Sequence, residues 1–265
     1  MSQCATDPEA YYLPLGENTF EPTRATESPW DPAAQHGGPP SALFAQVMSD
    51  LVDPALRLAR LTVDFPGPLP RKPFTITAEV TRPGRRVCRT ESVMAVDDRV
   101  VASASAWHIA TGPTPPSLGV HDFRPPQLPS AQPQQYFAGV SPDWGHGKSV
   151  EWRFTHGALS DAGPAGAWTR LRQPLVAGRE LTGLERAIVV ADSANGLSNE
   201  LPIGEWLFIP PTMTFTALRA PEGEWVYIDS RSTMSTDGLG LSSALIADAD
   251  GLCATVAQPL LVTAT

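Results

Sequence analysis

His36-Gly37-Gly38 runs straight into Pro39-Pro40 and then the apolar stretch Ser41-Ala42-Leu43-Phe44-Ala45-Gln46-Val47-Met48. Leu43, Phe44, Val47, Met48 and Leu51 fall at helical spacing, and prolines suit the first turn of a helix. The first N–H groups of a helix have no partner inside it, so this start can hold an oxygen that carries negative charge. A histidine beside it can donate a proton or act as a base. Asp192 is a second candidate, four residues after Ile188 and on or beside another apolar stripe. A carboxylate there is expensive unless it is hydrogen-bonded or functional. Asp64, just before Pro66-Gly67-Pro68, is a carboxylate at the end of a strand. Arg82, Arg85, Arg86 and Arg89 cluster beside a turn, which reads first as a solvated hairpin tip and second as a place to meet phosphates.

Other chemistries are missing from the chain. It has no Gly-x-Ser-x-Gly elbow, no Gly-rich nucleotide motif and no metal-ligand pair, so no metal or cofactor is expected. Cys4, Cys88 and Cys253 are scattered, odd in number and suited to a reducing compartment. The net charge of −9 argues against a nucleic-acid partner, which needs a basic footprint. No apolar run is long enough to span a membrane, and Met1 to Glu9 lacks the basic start and apolar core of a secretory signal. A cytoplasmic globular protein is the expectation.

These residues are held by elements that occur twice. Strand-like segments near Tyr11–Leu15 and Thr19–Thr26 lead into the helix after His36, which ends near Asp53-Pro54. Alternation then marks strands over Arg57–Phe65, Phe74–Arg82, Val87–Val96 and Arg99–Ile109, with Asp97-Asp98 as a hairpin turn. A proline-studded stretch follows, read as a linker laid over the surface. After it come strands over Val150–Ala158 and Ala165–Gln173, and a helix over Thr182–Leu197. Strands over Trp206–Ala217, Glu224–Ser232, Gly240–Asp248 and Gly251–Val262 complete the chain. Asp98–Ala106 lies over Asp250–Gln258 without a gap, and Phe74–Thr81 over Trp225–Ser232 in pattern. The chain is therefore α+β with an internal repeat: an N-terminal unit over 1–112, a linker over 113–148 and a C-terminal unit over 149–265. Each unit wraps an antiparallel sheet round its own helix, and joining the two sheets edge to edge covers their edge strands.

This arrangement resembles the double hotdog fold, and the residues resemble acyl-CoA thioesterases of the thioesterase II type, in particular actinobacterial ones. The resemblance rests on Trp30 with Gln35-His36-Gly37-Gly38, Arg82-Pro83-Gly84-Arg85 and Asp98-Arg99-Val100-Val101-Ala102 in the first half. In the second half it rests on Asp192, Pro221-Glu222-Gly223-Glu224-Trp225, and Asp250-Gly251 leading to Gln258-Pro259-Leu260. It covers most of the chain except the linker. It implies hydrolysis of acyl-CoA thioesters without a cofactor, a place in lipid metabolism, and a homodimer of double-hotdog chains.

The resemblance also implies roles. Asp192 matches the Asp that orients or activates the attacking water, and Gln258 the Gln on the last strand, an amide able to donate and accept without titrating. The family's Thr falls on Pro210 here, so Thr212 or Thr214, which face one way along their strand, is left to supply the hydroxyl. With the two helices paired, His36, Gly37 and Gly38 lie opposite; the Gly38 N–H is the expected oxyanion donor, and Asp64 would lie near a pseudo-site. Pro210 also leaves a second reading, an acyl-CoA-binding protein that keeps the fold without the reaction. A hotdog enoyl-CoA hydratase ranks below both, since no Asp-x4-His pairing is present.

Overall fold

The computed structural model describes residues 9–113, 122–137 and 139–265. Met1–Glu9 apart from its last residue, Cys4, and the linker prolines Pro115 and Pro116 lie outside the described residues. The first half builds β1 (Tyr12–Gly16), β2 (Thr19–Pro22), α1 (Gly38–Ser49), β3 (Leu56–Asp64), β4 (Phe74–Arg82), β5 (Val87–Val96) and β6 (Arg99–Ala110). The second begins with α2 (Gly145–Ser149), β7 (Val150–His156), β8 (Ala165–Leu171), α3 (Gly183–Ala191) and α4 (Ala194–Leu197). It ends with β9 (Trp206–Ile209), β10 (Thr212–Ala217), β11 (Val226–Met234), β12 (Leu239–Asp248) and β13 (Gly251–Ala264). Asp97 and Asp98 both take positive φ, 50° and 61°, the turn that matches the twist of a two-residue hairpin between β5 and β6.

One antiparallel sheet runs β1-β2-β4-β5-β6-β3-β10-β13-β12-β11-β8-β7. Its two halves mirror each other about the β3–β10 junction, where Thr62 faces Thr214 and Asp64 faces Thr212. The mirror places β6 with β13 and β4 with β11, as the sequence repeat requires. The sheet wraps α1 and α3, whose apolar faces supply Leu43, Phe44, Met48, Ile188, Val189 and Val190 to a single core. The two helices touch backbone to backbone: a Cβ on Gly38 would lie 2.0 Å from the Val189 carbonyl oxygen. They run in opposite directions, so the start of α1 meets the end of α3, while Gln46 Nε2 near the end of α1 donates to Glu185 Oε1 in the first turn of α3 at 2.6 Å. Glu185 also closes a capping box with Thr182.

Three differences from the sequence reading bear on the site. The helix expected over Thr182–Leu197 is broken, and Asp192 is the C-cap of α3 rather than a mid-helix residue. The strand expected over Trp206–Ala217 is split at Pro210-Pro211, because proline cannot donate to a ladder. The linker is not simply laid over the surface. Gln132 pairs with the edge strand β7 through its side-chain amide, donating to the Phe154 carbonyl (2.9 Å) and accepting from the Phe154 N–H (2.8 Å). Further on, Phe137, Trp144 and His146 are buried, and Gly145–Ser149 is helical.

Candidate active site

The loop before α1 is tied down on both sides. The Gln35 N–H donates to the Leu69 carbonyl and the His36 N–H to the Thr26 carbonyl, each at 2.7 Å. The Gln35 side chain accepts from the Tyr12 hydroxyl (2.9 Å) and donates to the Pro70 carbonyl (3.0 Å). This fixes Gly37 and Gly38 against the end of α3. A Cβ on Gly37 would meet Asp192 Oδ2 at 2.8 Å, so only glycine lets the turn come this close.

Asp192 is buried there with a full set of partners. Gln258 Nε2 donates to its Oδ1 at 2.9 Å. The N–H groups of Gly37 and Gly38 are directed at the carboxylate, and that of Gly38 is shared with His36 Nδ1 at 3.2 Å. His36 Nδ1 stands 3.3 Å from Asp192 Oδ2. Burial pushes the Asp192 carboxyl up to about 7, against the opposing pull of the Gly37 N–H, the Gln258 amide and the Gly38 N–H. Burial, and then the neighbouring His146, hold His36 well below the usual histidine range. A neutral His36 that accepts from Gly38 at Nδ1 carries its proton on Nε2.

Gln258 owes its place to the split at Pro210-Pro211. On β13, residues Ala254–Ala257 pair with β10 and Leu261–Ala264 with β9, so Gln258 falls in the gap between those partners. Its other edge pairs with Ser242 on β12. Asn195 Nδ2 donates to the Phe208 carbonyl (2.9 Å), tying α4 to the strand that enters the split.

The site opens on a cavity of about 410 Å³. His36, Gly37 and Asp192 form its polar end, and Trp30, Phe65, Phe137, Trp144, Trp152, Ile203 and Leu207 much of its wall. Pro210 and Pro211 also line it. Phe137 and Trp144 come from the stretch read as linker, so that stretch is part of the cavity wall.

The predicted residues divide cleanly. Asp192, Gln258, His36, Gly37 and Gly38 converge. Thr212 and Thr214 do not: they alternate with Met213 and Phe215, which take the core face of β10. The Thr212 hydroxyl donates to the Val63 carbonyl (2.9 Å), and that of Thr214 lies 3.3 Å from the Thr62 hydroxyl. Neither reaches Asp192, because strand alternation turns them to the other face of the sheet. Asp64 also turns outward, exposed at the end of β3. The Gly38 N–H faces Asp192 and His36. Sequence reasoning missed His146, whose ring stacks on that of His36 with centroids 4.2 Å apart and planes 14° from parallel. The signal was Trp144-Gly145-His146-Gly147, an aromatic and a histidine among glycines inside a proline-rich stretch. Among the described residues no group of His, Cys, Asp and Glu is arranged to hold a metal.

The family model of the acyl-CoA thioesterase N-terminal domain matches residues 26–109, and that of the C-terminal domain matches residues 121–262. The chain belongs to the acyl-CoA thioesterase family. No curated protein matches it in sequence. Its fold is similar to that of an acyl-CoA thioesterase II from Mycobacterium marinum, at 16% identity and TM-score 0.67 over 96% of this chain and 95% of that one. A TesB protein of Mycobacterium avium subspecies paratuberculosis matches at 15% identity and TM-score 0.68 over 95% of each chain. A hot-dog-fold protein of unknown function from Alicyclobacillus acidocaldarius matches at 19% identity and TM-score 0.72 over 97% of each. The fold of this thioesterase-family chain is therefore the double hotdog, and likenesses this distant speak to fold alone.

Proposed function

We propose that the chain hydrolyses acyl-CoA thioesters by direct attack of water. The observation that carries this reading is Asp192, a buried carboxylate clamped by Gln258 and the Gly37–Gly38 turn at the polar end of an apolar cavity. The acyl chain occupies the cavity. Asp192, with its carboxyl raised to about 7, takes the proton of the attacking water near neutral pH. Once protonated, its Oδ2–H faces His36 Nδ1 at 3.3 Å and shares the one lone pair there with the Gly38 N–H. The Gln258 carbonyl oxygen orients the water, while the amide holds Asp192. His36 Nε2–H is then the donor for the developing oxyanion, the part first expected of Gly38. As the tetrahedral intermediate collapses, the C–S bond breaks and Asp192 gives its proton to the departing thiolate, which yields the free acid and coenzyme A and restores the carboxylate. Two chains pair as a homodimer.

The test is release of free thiol from acyl-CoAs of graded chain length, with Asp192→Asn beside the wild type. Hydrolysis by the wild type and a loss of at least about 100-fold in the variant support the reading. An inert wild type refutes it. A second reading, acyl-CoA binding without hydrolysis, is favoured by Pro210 at the family's Thr position and by the absence, among the described residues, of a hydroxyl bonded to Asp192. Tight binding of an acyl-CoA with no thiol released would select it.

A further inference from the structure

His146 lies in the stretch read from the sequence as linker, yet it reaches the centre of the site. The short helix that carries it is clamped to the segment before α1. Trp144 Nε1 donates to the Glu27 carbonyl (2.7 Å), and the Gly145 N–H donates to Glu27 Oε2 (2.8 Å). Glu27 is in turn held by Arg24, whose guanidinium also donates to the Asp143 carbonyl at 2.7 Å. A Cβ on Gly145 would lie 2.0 Å from the Arg24 carbonyl oxygen, so the two backbones are in contact. The His146 ring is thereby fixed as a lid over one face of His36, 1% exposed.

The hydrogen bonds of that ring define its proton. His146 Nδ1 lies 3.1 Å from the Ala25 carbonyl oxygen, which can only accept, so Nδ1 carries the hydrogen. Nε2 is buried and has no partner among the described residues. A charge on His146 would therefore be unsolvated and would face the His36 ring. The titratable groups around the pair are Asp192 against His36, Tyr11 with its ring 6.0 Å from His146, and, behind the helix, Glu27 paired with Arg24 and Asp143 paired with Arg24 and Lys148.

We propose that His146 is a positioning residue of this site: stacked on His36, it keeps that imidazole fixed and uncharged beside Asp192. An imidazolium at His36 would pair with Asp192 as an ion and draw off the basicity that the water needs. A tilted ring would move both the Nδ1 that faces Asp192 and the Nε2–H that donates. The proposal rests on the hydrolase reading only for its consequence, since the state of His36 is measurable without substrate.

The test follows the imidazole of His36 by NMR from pH 5 to 8 in the wild type, His146→Phe and His146→Ala, alongside pH profiles of kcat and KM for thiol release. In the folded wild type His36 stays neutral across the range. His146→Ala, with an unchanged fold by circular dichroism, lets His36 titrate and lowers kcat about tenfold or more, with KM within about twofold. His146→Phe keeps the stack and recovers most of that loss. Titration of His36 near its ordinary value in the wild type overturns the proposal without any variant. So does a folded His146→Ala in which neither the His36 titration nor kcat changes. A wild type that hydrolyses nothing but keeps His36 neutral refutes the hydrolase reading alone.

Discussion

Gln258 donates from Nε2 to Asp192 Oδ1 at 2.9 Å, while its own Oε1 is buried and has no partner among the described residues. A buried amide satisfied at one end and unpaired at the other has an acceptor left for a water held inside the protein. Removing it with Gln258→Leu takes away a donor that favours the ionised form of Asp192. The carboxyl then rises above about 7, and the acid limb of kcat/KM moves to higher pH, by about one unit. The pH profile of thiol release checks this, and a limb that stays in place separates Gln258 from Asp192.

Stability carries an independent signature of the same carboxyl. Asp192 rises from 3.8 to about 7 on folding, so between those values the folded state holds more protons than the unfolded one. Stability therefore drains away as pH rises from about 4 to 7 on its account. His146 acts oppositely: burial takes it down to about 4, against the bond to Ala25, so its contribution is lost as pH falls below about 6.5. His36, held below its ordinary range, acts in the same sense as His146. In Asp192→Asn the stability relative to wild type should improve by roughly 2–4 kcal/mol between pH 4 and pH 7.5. Urea titrations at the two pH values measure it, and a gap that does not change with pH contradicts the raised carboxyl.

The contact of Gly38 with Val189 sets the distance between α1 and α3. In Gly38→Ala a methyl would meet a backbone oxygen at 2.0 Å, which no rotamer change relieves. The expected cost is at least about 3 kcal/mol, with loss of activity as the Gly37–Gly38 turn leaves Asp192. Gly67→Ala, where no atom stands within 4 Å of the added Cβ, is the control. Equal denaturation midpoints for the two variants would contradict the close approach.

The hydroxyls of β10 should matter little to turnover. Thr212→Val and Thr214→Val are expected to stay within about twofold of wild-type kcat/KM and to cost about 1 kcal/mol of stability each, the worth of one hydrogen bond. Pro210→Thr is the contrasting change, since residue 210 lines the cavity. A hydroxyl there is expected to raise kcat severalfold, on the order of what one added donor contributes. A large loss in either β10 variant would bring those threonines back into the site.

The repeat was legible because duplicated strands keep their alternation, and helix starts announce themselves through His36-Gly37-Gly38 and Thr182-Gly183. It also explains why the chain has one such site rather than two. Counting nine residues from each helix start gives Asp192 at the C-cap of α3 but Val47 in α1, and the strand overlay gives Gln258 in β13 but Ala106 in β6. The mirror position is chemically empty, and Asp64 does not refill it.

By itself, the sequence determined the two helix-and-sheet units, the order of their strands and a carboxylate, Asp192, on an apolar stripe, because periodicity and burial cost act locally; Gln258 was singled out by the family resemblance instead. Only the tertiary structure decided which groups meet. His36, His146, Asp192 and Gln258 come from four separate elements, and they converge because Gly38 lets two helix backbones touch and Glu27 anchors the helix that carries His146. The same packing excluded Thr212 and Thr214: once β10 buried Met213 and Phe215, alternation left their hydroxyls no path to Asp192.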